Sequence, residues 1–242
     1  MASTHKLGGR LTERAHPLTS RKYHYQRLLL PKATQEQLQE ASTEGAAAAL
    51  KSWVMKYSKG FLPTQLSPRP AMDRGGFGMV TEQPVEPGQP LVRVPRVLMM
   101  TEDSALRQDY GKLAKKCGFT EWQALILHLL CERARGPSSH WAPYINMLPK
   151  QDHHPLLWTA QDTAMLQGSP LLASLQTRWQ QVIEDTEALQ VGGVNDLPLA
   201  RSYKEAHKED LVTQSSVAWA AATLLSRAFS LDLTADDEMV AG

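Results

Sequence analysis

The sequence has little cysteine, no surplus of charge of either sign and no long hydrophobic run, and each absence excludes a class of protein. Its two cysteines, Cys117 and Cys131, form no C-x-x-C pair, so neither a disulfide framework nor a cysteine-ligated zinc site is expected. The 26 basic and 25 acidic residues leave a formal charge of +1, without the basic surplus typical of nucleic-acid-binding modules. The longest apolar run, "VAWAAATLL" (217–225), is less than half of the roughly 20 residues that span a bilayer. These absences predict a soluble cytoplasmic or nuclear protein that binds neither nucleic acid nor membrane.

The N-terminal segment differs in composition from the rest of the chain. Residues 1–32 hold seven lysines and arginines but a single acidic residue, Glu13. Such a composition is typical of a disordered basic leader, and we expect one over residues 1–33. An organelle transit peptide, and with it a plastid location, is the alternative because transit peptides are also poor in acidic residues.

Residues 34–105 predict one helix and then a β-hairpin. "TQEQ" (34–37) has the spacing of a capping box and begins a helix that runs through "KSWVMKYSKG". The three prolines of "FLPTQLSPRP" end it, and "FGMV" and "PLVRV" follow as two predicted strands. Pro87–Gly88 lies between them and suits the centre of a type II turn.

The remaining patterns repeat at the period of an α-helix. "TEWQALILHLLCERARG" begins with a second capping box, Thr120 with Gln123, and ends at Gly136–Pro137. Ser169–Pro170 begins a long amphipathic helix that "VGGVNDLPL" ends. "SYKE" (202–205) predicts the start of one final helix reaching "SRAF". The chain is therefore predicted to be α+β, with a hairpin followed by helices.

Most of the side chains that could carry chemistry have a simpler explanation. We expect His128 to be an interior histidine with satisfied hydrogen bonds, Cys131 a small core residue, and Glu121 and Glu132 solvated helix positions. His153–His154 predict a surface loop rather than a metal site. Three aromatic residues favour packing, with a peptide-binding face as the alternative: Trp141, Tyr144 and Trp158.

The glycine stretch "DRGGFGMV" leaves two interpretations open. It lacks the Lys–Ser/Thr pair and the following helix of a phosphate-binding loop, so that function is excluded. Gly75, Gly76 and Gly78 then mark either a tight turn or a backbone that a ligand approaches closely.

Four blocks in fixed order carry a family resemblance: "GFGMV…VEPGQPLVRVPRVLMMTEDSA", "LHLLCERARGPSSHWAPYINMLPK", "LLWTAQDTAMLQGSPLL" and "VAWAAATLLSRAFS". Over roughly residues 45–230, the series resembles SET-domain protein methyltransferases of the Rubisco lysine methyltransferase type, which include the actin-histidine enzyme. The resemblance implies a SET β-core with a helical insertion, S-adenosylmethionine as methyl donor, and a protein substrate bound by a monomer. By the same resemblance, the core begins within residues 34–105, the insertion covers 106–207, and a return helix with a tail covers 208–242.

The resemblance also implies which residues bind the donor. The family's glycine motif falls on Gly75, Gly76, Phe77 and Gly78, and its late-helix arginine falls on Arg227, whose guanidinium suits the donor's carboxylate. The family's Asn–His pair and late tyrosine have no counterpart after Arg227, so no catalytic residue is assigned and an incomplete core is expected. The implied activity is lysine methylation. Histidine methylation and a non-catalytic, protein-binding fragment are the alternatives.

Overall fold

The computed structural model describes residues 32–57, 66–70, 77–92, 94–149 and 154–230, with the side chains of residues 32–44, 68, 70 and 77 excepted. Within these ranges the chain forms one short antiparallel strand pair and a larger helical unit. The strands are β1 (Leu66–Pro70) and β2 (Phe77–Thr81). The helices are α1 (Lys32–Tyr57), α2 (Glu102–Leu106), α3 (Gly111–Cys117), α4 (Glu121–Arg135), α5 (Ala142–Ile145), α6 (Ala160–Ala164), α7 (Pro170–Val191), α8 (Pro198–His207) and α9 (Gln214–Arg227). No helix in the described ranges has the length and apolar character needed to cross a membrane.

Helix α1 begins at Lys32, two residues before the predicted start. Thr34 therefore lies inside the helix instead of capping it. Residues 1–31 of the predicted leader lie outside the described residues.

The strand pair corrects the predicted hairpin. "FGMV" is confirmed as a strand, but its partner is β1, from the proline-rich segment predicted to be a breaker, with Pro68 opposite Met79 and Pro70 opposite Phe77. In an antiparallel pair, residues two apart point their backbone groups to the same side, so both prolines can turn their missing N–H away from β2. The predicted second strand is wrong, because Leu91 and Val92 lie outside any strand and are exposed.

The predicted turn after β2 is confirmed even though the second strand is not. Gln89 N–H donates to the Glu86 carbonyl oxygen at 3.1 Å, which closes a four-residue turn. Gly88 has φ 83°, the conformation that a type II turn requires at its third residue. The turn is thus encoded locally by Pro87–Gly88 and does not depend on flanking strands.

Helix α4 is the centre of the helical unit. Its predicted capping box is present: Thr120 Oγ1 accepts from Gln123 N–H at 3.2 Å, and Gln123 Oε1 accepts from Thr120 N–H at 3.1 Å. The prediction of one apolar face was too narrow, because every residue of 126–132 is buried. Helices α2, α5, α7, α8 and α9 all contact α4, so it is surrounded on several sides.

A buried carboxylate joins α4 to α7. Asp185 is 1% exposed and accepts from Trp122 Nε1 at 3.0 Å and Gln123 Nε2 at 3.0 Å, both at the start of α4. Gln181, one turn earlier on α7, adds a third donor at 3.2 Å. The charge is therefore stabilised by neutral donors, which satisfies the requirement that a buried charge be hydrogen-bonded.

The C-terminal region contains two helices where one was predicted. "SYKE" lies inside α8, which ends where Lys208 takes the left-handed conformation with φ 59°. Helix α9 has its own capping box, in which Thr213 Oγ1 accepts from Ser216 N–H at 3.1 Å. Between the helices, Asn195 and Gln190 bond the buried backbone of Val212, with Val212 N–H donating to Asn195 Oδ1 at 2.9 Å. These side-chain bonds come from distant residues, and no local pattern reveals them.

The long helix α7 follows its prediction closely. Ser169 caps it by accepting from Leu171 N–H at 3.2 Å, and the helix ends before Gly192. Leu175, Val182 and Leu189 supply its buried face, while Leu171 in the first turn is 47% exposed.

Candidate functional site

The structure describes only part of the glycine segment. Gly75 and Gly76 lie outside the described residues, and of Phe77 only the backbone in β2 is described. Gly78 lies in β2 opposite Arg69. A Cβ at Gly78 would meet no heavy atom of the described residues within 4 Å, so crowding in that part of the chain does not require glycine there. As far as the described residues extend, the backbone at Gly78 is open to approach by a ligand.

Arg227 is the last residue of α9 and is half-buried. Its charge acts on Tyr144 in α5: burial raises the pKa of the Tyr144 phenol, and the Arg227 guanidinium opposes that rise. A cation at a helix C-terminus also interacts favourably with the helix dipole. The structure thus fixes the position of Arg227 relative to the core, since α9 packs on α4 and α7.

The most extensive polar network in this part of the molecule surrounds Glu132, which sequence reasoning had wrongly taken as solvated. Its side chain is fully buried. Glu132 Oε1 accepts from Tyr110 Oη at 3.0 Å and Arg135 Nη1 at 2.6 Å, and Oε2 accepts from Ser139 Oγ at 2.6 Å. Glu121, at the exposed start of the same helix, is solvated as predicted.

His128 extends this network and confirms the prediction of a satisfied interior histidine. Its Nδ1 lies 2.5 Å from Tyr110 Oη and its Nε2 lies 3.0 Å from Ser104 Oγ. Tyr110 has one hydroxyl proton, and the Glu132 carboxylate attracts it most strongly. The neutral imidazole then donates from Nδ1 to the Tyr110 oxygen, and its Nε2 faces the Ser104 hydroxyl, whose single hydrogen also has the Thr101 carbonyl oxygen as an acceptor at 2.8 Å.

Burial keeps the groups of this network uncharged apart from the Glu132–Arg135 pair. Desolvation, aided by the nearby Arg135 charge, lowers the pKa of His128 to about 3. Desolvation also raises the pKa of the Tyr110 phenol and of the Cys131 thiol above their ordinary values. Cys131 is 0% exposed, which confirms it as a core residue. None of these groups is placed to exchange protons with a substrate in solvent.

Two adjacent side chains connect the segment after β2 to the helical unit. His140 Nε2 lies 3.1 Å from the Val97 carbonyl oxygen, and Trp141 Nε1 donates to the Leu98 carbonyl oxygen at 3.1 Å. Trp141 is 5% exposed, which fits the packing interpretation of this residue. Tyr144 is partly buried against the core and fits it as well.

The described residues contain no group of three histidine, cysteine, aspartate or glutamate side chains that could hold a metal ion. His153 lies outside the described residues. His154 instead begins the 3-10 turn Pro155–Leu157, where its Nδ1 accepts from Leu156 N–H at 3.2 Å.

About three quarters of the chain superposes on solved SET-domain structures. No family model matches the chain. A structure of Rubisco LSMT bound to AdoMet superposes with a TM-score of 0.65 and 25% identity, over 76% of this chain and 41% of that one. A structure of the SET domain of LSMT bound to MeLysine and AdoHcy gives a TM-score of 0.61 at 25% identity, over 75% and 40%. The chain is thus related to SET-domain methyltransferases and has part of their α+β fold, as predicted.

Curated methyltransferases with several substrates are also similar to the chain in sequence. The Rubisco large subunit N-methyltransferase of Nicotiana tabacum is 24% identical over 170 residues, 67% of this chain and 34% of that protein. N-lysine methyltransferase SETD6 of Bos taurus is 31% identical over 50% of this chain and 28% of that protein. Actin-histidine N-methyltransferase of Mus musculus is 28% identical over 63% and 25%. The chain therefore spans about a quarter to a third of the length of these relatives, and the predicted resemblance is confirmed.

Proposed function

We propose that this chain contributes to an S-adenosylmethionine-dependent protein methyltransferase whose acceptor is a lysine side chain. The observation that carries the proposal is the shared fold with Rubisco LSMT bound to AdoMet, at a TM-score of 0.65 over 76% of the chain. A relative named as an N-lysine methyltransferase and a structure of the SET domain of LSMT bound to MeLysine support lysine as the acceptor.

The proposed donor site combines the glycine segment with Arg227. The backbone of Gly75, Gly76, Phe77 and Gly78 would lie against the donor, since residues with little side chain let N–H and C=O groups reach a polar ligand. The Arg227 guanidinium would hold the donor's carboxylate by two parallel hydrogen bonds. The open space at Gly78 and the half-buried position of Arg227 fit this assignment. When bound, the donor supplies a methyl group on a sulfonium for transfer to nitrogen.

A protein-histidine methyltransferase is the second candidate, because actin-histidine enzymes are among the relatives. The two acceptors differ in whether they must be deprotonated before attack. A free lysine has a pKa near 10.4 and must lose a proton, whereas a free histidine has a pKa near 6.5 and is already largely neutral at pH 7. The proposal assigns no catalytic residue within these 242 residues, since "AFSLDLTADDEMVAG" after Arg227 contains neither an Asn–His pair nor a tyrosine. A non-catalytic, protein-binding role is the alternative if the donor does not bind.

Calorimetric titration of the 242-residue chain with S-adenosylmethionine tests the donor site. We expect Arg227→Ala to weaken binding about 10- to 100-fold, because hydrogen bonds to a charged group contribute about 1.5–3 kcal/mol. Arg201→Ala is the matched control, since Arg201 is exposed on α8 and pairs only loosely with Asp196 at 3.7 Å. Absence of binding at millimolar donor would refute the proposal for this chain.

Labelled donor and mass spectrometry decide the acceptor. The Rubisco large subunit and actin serve as candidate substrates, and the modified residue type separates lysine from histidine transfer.

We further propose that the protein is a monomer, and light scattering measures this. For the compartment we propose cytoplasm or nucleus, with the plastid as alternative because two relatives are named chloroplastic, and a C-terminal fluorescent fusion decides between them.

A further inference from the structure

The segment that follows the glycine strand is held to the helical unit at two consecutive carbonyl groups. Val97 and Leu98 belong to the 3-10 turn Arg96–Leu98, and their carbonyl oxygens face His140 and Trp141 at 3.1 Å each. A carbonyl only accepts, so His140 Nε2 carries a hydrogen and donates. Two neighbouring donors thus engage two neighbouring acceptors.

His140 also contacts the aromatic end of α1. Its ring centroid lies 5.6 Å from that of Trp53, 5.2 Å from that of Tyr57 and 4.9 Å from that of Trp141, with interplanar angles of 64°, 84° and 85°. Edge-to-face contacts of this kind are favourable between aromatic rings. The buried Trp53 Nε1 has no hydrogen-bond partner, so within the described ranges ring packing rather than a hydrogen bond holds Trp53 here.

The described part of the connection from β2 to this turn is largely exposed. Leu91, Val92 and Val94 are 43%, 47% and 45% exposed, whereas Leu98 is 6% exposed. The position at which the segment meets the helical unit is therefore set at Val97 and Leu98. On the other side, the Trp141 ring contacts the His128 ring of α4 at 4.7 Å, and α4 packs on α9, which carries Arg227.

We propose that His140 is a positioning residue for the donor site: its bond to Val97 fixes the glycine-bearing segment relative to α4 and α9, so that donor affinity depends on it. The inference rests on the proposed function, because it concerns the geometry between Gly78 and Arg227. It differs from simple stabilisation, because the effect should appear in ligand affinity at unchanged unfolding temperature.

Two variants at one position separate the hydrogen bond from ring packing. His140→Phe retains an aromatic ring but removes the hydrogen-bond donor to Val97, whereas His140→Gln retains an N–H group that can donate this hydrogen bond. We expect His140→Phe to weaken S-adenosylmethionine binding about fivefold, the equivalent of about 1 kcal/mol for one hydrogen bond, and His140→Gln to recover most of that loss. His207→Phe is the matched control, because His207 is exposed and stacks on Tyr203 at 4.2 Å.

Amide hydrogen exchange measures the anchor directly. The Leu98 and Met99 amides donate to the carbonyl oxygens of Pro95 and Arg96 at 2.9 and 3.0 Å, and we expect them to exchange faster in His140→Phe than in the wild-type chain. Faster exchange with unchanged affinity would show a structural role alone and overturn the inference. An equal loss of S-adenosylmethionine affinity in His140→Phe and His140→Gln would overturn the role of the hydrogen bond. A wild-type chain that binds no donor refutes the proposed function itself, and with it the positioning role.

Discussion

Removing the Glu132 carboxylate should lower the free energy of unfolding of the helical unit. The side chain is completely buried, and its two oxygens accept from Tyr110, Arg135 and Ser139. In Glu132→Ala, the two hydroxyl groups lose their acceptor inside the core, and Arg135 loses one of its two carboxylate partners. Breaking a buried ion pair by removing one member costs roughly 3–5 kcal/mol. Because 22% of the Arg135 side chain is exposed and Asp109 still pairs with it, we expect the lower end, about 3 kcal/mol.

The measurement is urea unfolding followed by far-ultraviolet circular dichroism, with the midpoint compared at constant slope. Glu132→Gln, which keeps the size and one acceptor oxygen, should lose less, about 1–2 kcal/mol. Glu121→Ala is the control on the exposed first turn of α4, where only the interaction with the helix dipole is lost, about 0.3–1 kcal/mol. A loss below about 1 kcal/mol for Glu132→Ala would refute the argument that this carboxylate holds the network together.

Three further predictions follow from the same helical unit and from α1. Burial keeps the pKa of folded His128 at about 3, whereas an unfolded histidine has a pKa of about 6.5. Between these two pH values the unfolded chain binds a proton that the native state does not. The free energy of unfolding therefore falls as the pH is lowered through this window, by about 2 kcal/mol at pH 5. His128→Asn should flatten that slope in urea titrations from pH 5 to 8, and an unchanged slope would contradict the assignment. Gly111→Ala should lower the unfolding free energy by roughly 1–3 kcal/mol, because the added Cβ would overlap the Leu106 carbonyl oxygen. Wild-type stability of this variant would contradict that packing. Gly45→Ala, at an exposed site in α1 with no atom within 4 Å, should raise it by about 0.5–1 kcal/mol, and a loss would indicate that the segment is not helical.

Local signals in the sequence predicted much of the helical unit correctly. The Thr120 capping box, the Ser169–Pro170 start and the Pro87–Gly88 turn each depend on residues within one turn of chain, and all three are confirmed. The missed helix break before α9 is different, because its buried backbone is satisfied by Gln190 and Asn195, which are distant in sequence.

The same distinction applies to the buried groups and to the candidate site. Glu132 looked like an ordinary solvated acid because Tyr110 lies 22 residues away in sequence, so only the fold reveals that the carboxylate is buried against this phenol. For β1, two prolines argued against a strand, and they are acceptable because, among the described residues, β2 is the one strand that pairs with β1. Gly78 and Arg227 came from the resemblance, and their shared role in donor binding stays a prediction.

The amide of Gln123 serves two purposes at once, and this limits what can replace it. Its oxygen closes the capping box with Thr120 while its nitrogen donates to the buried Asp185 carboxylate. Glutamate is ordinarily interchangeable with glutamine in such boxes. Here Gln123→Glu would keep the cap but place a second carboxylate against that of Asp185 beside the core. A replacement that is conservative on an exposed helix would therefore be destabilising at the junction of α4 and α7.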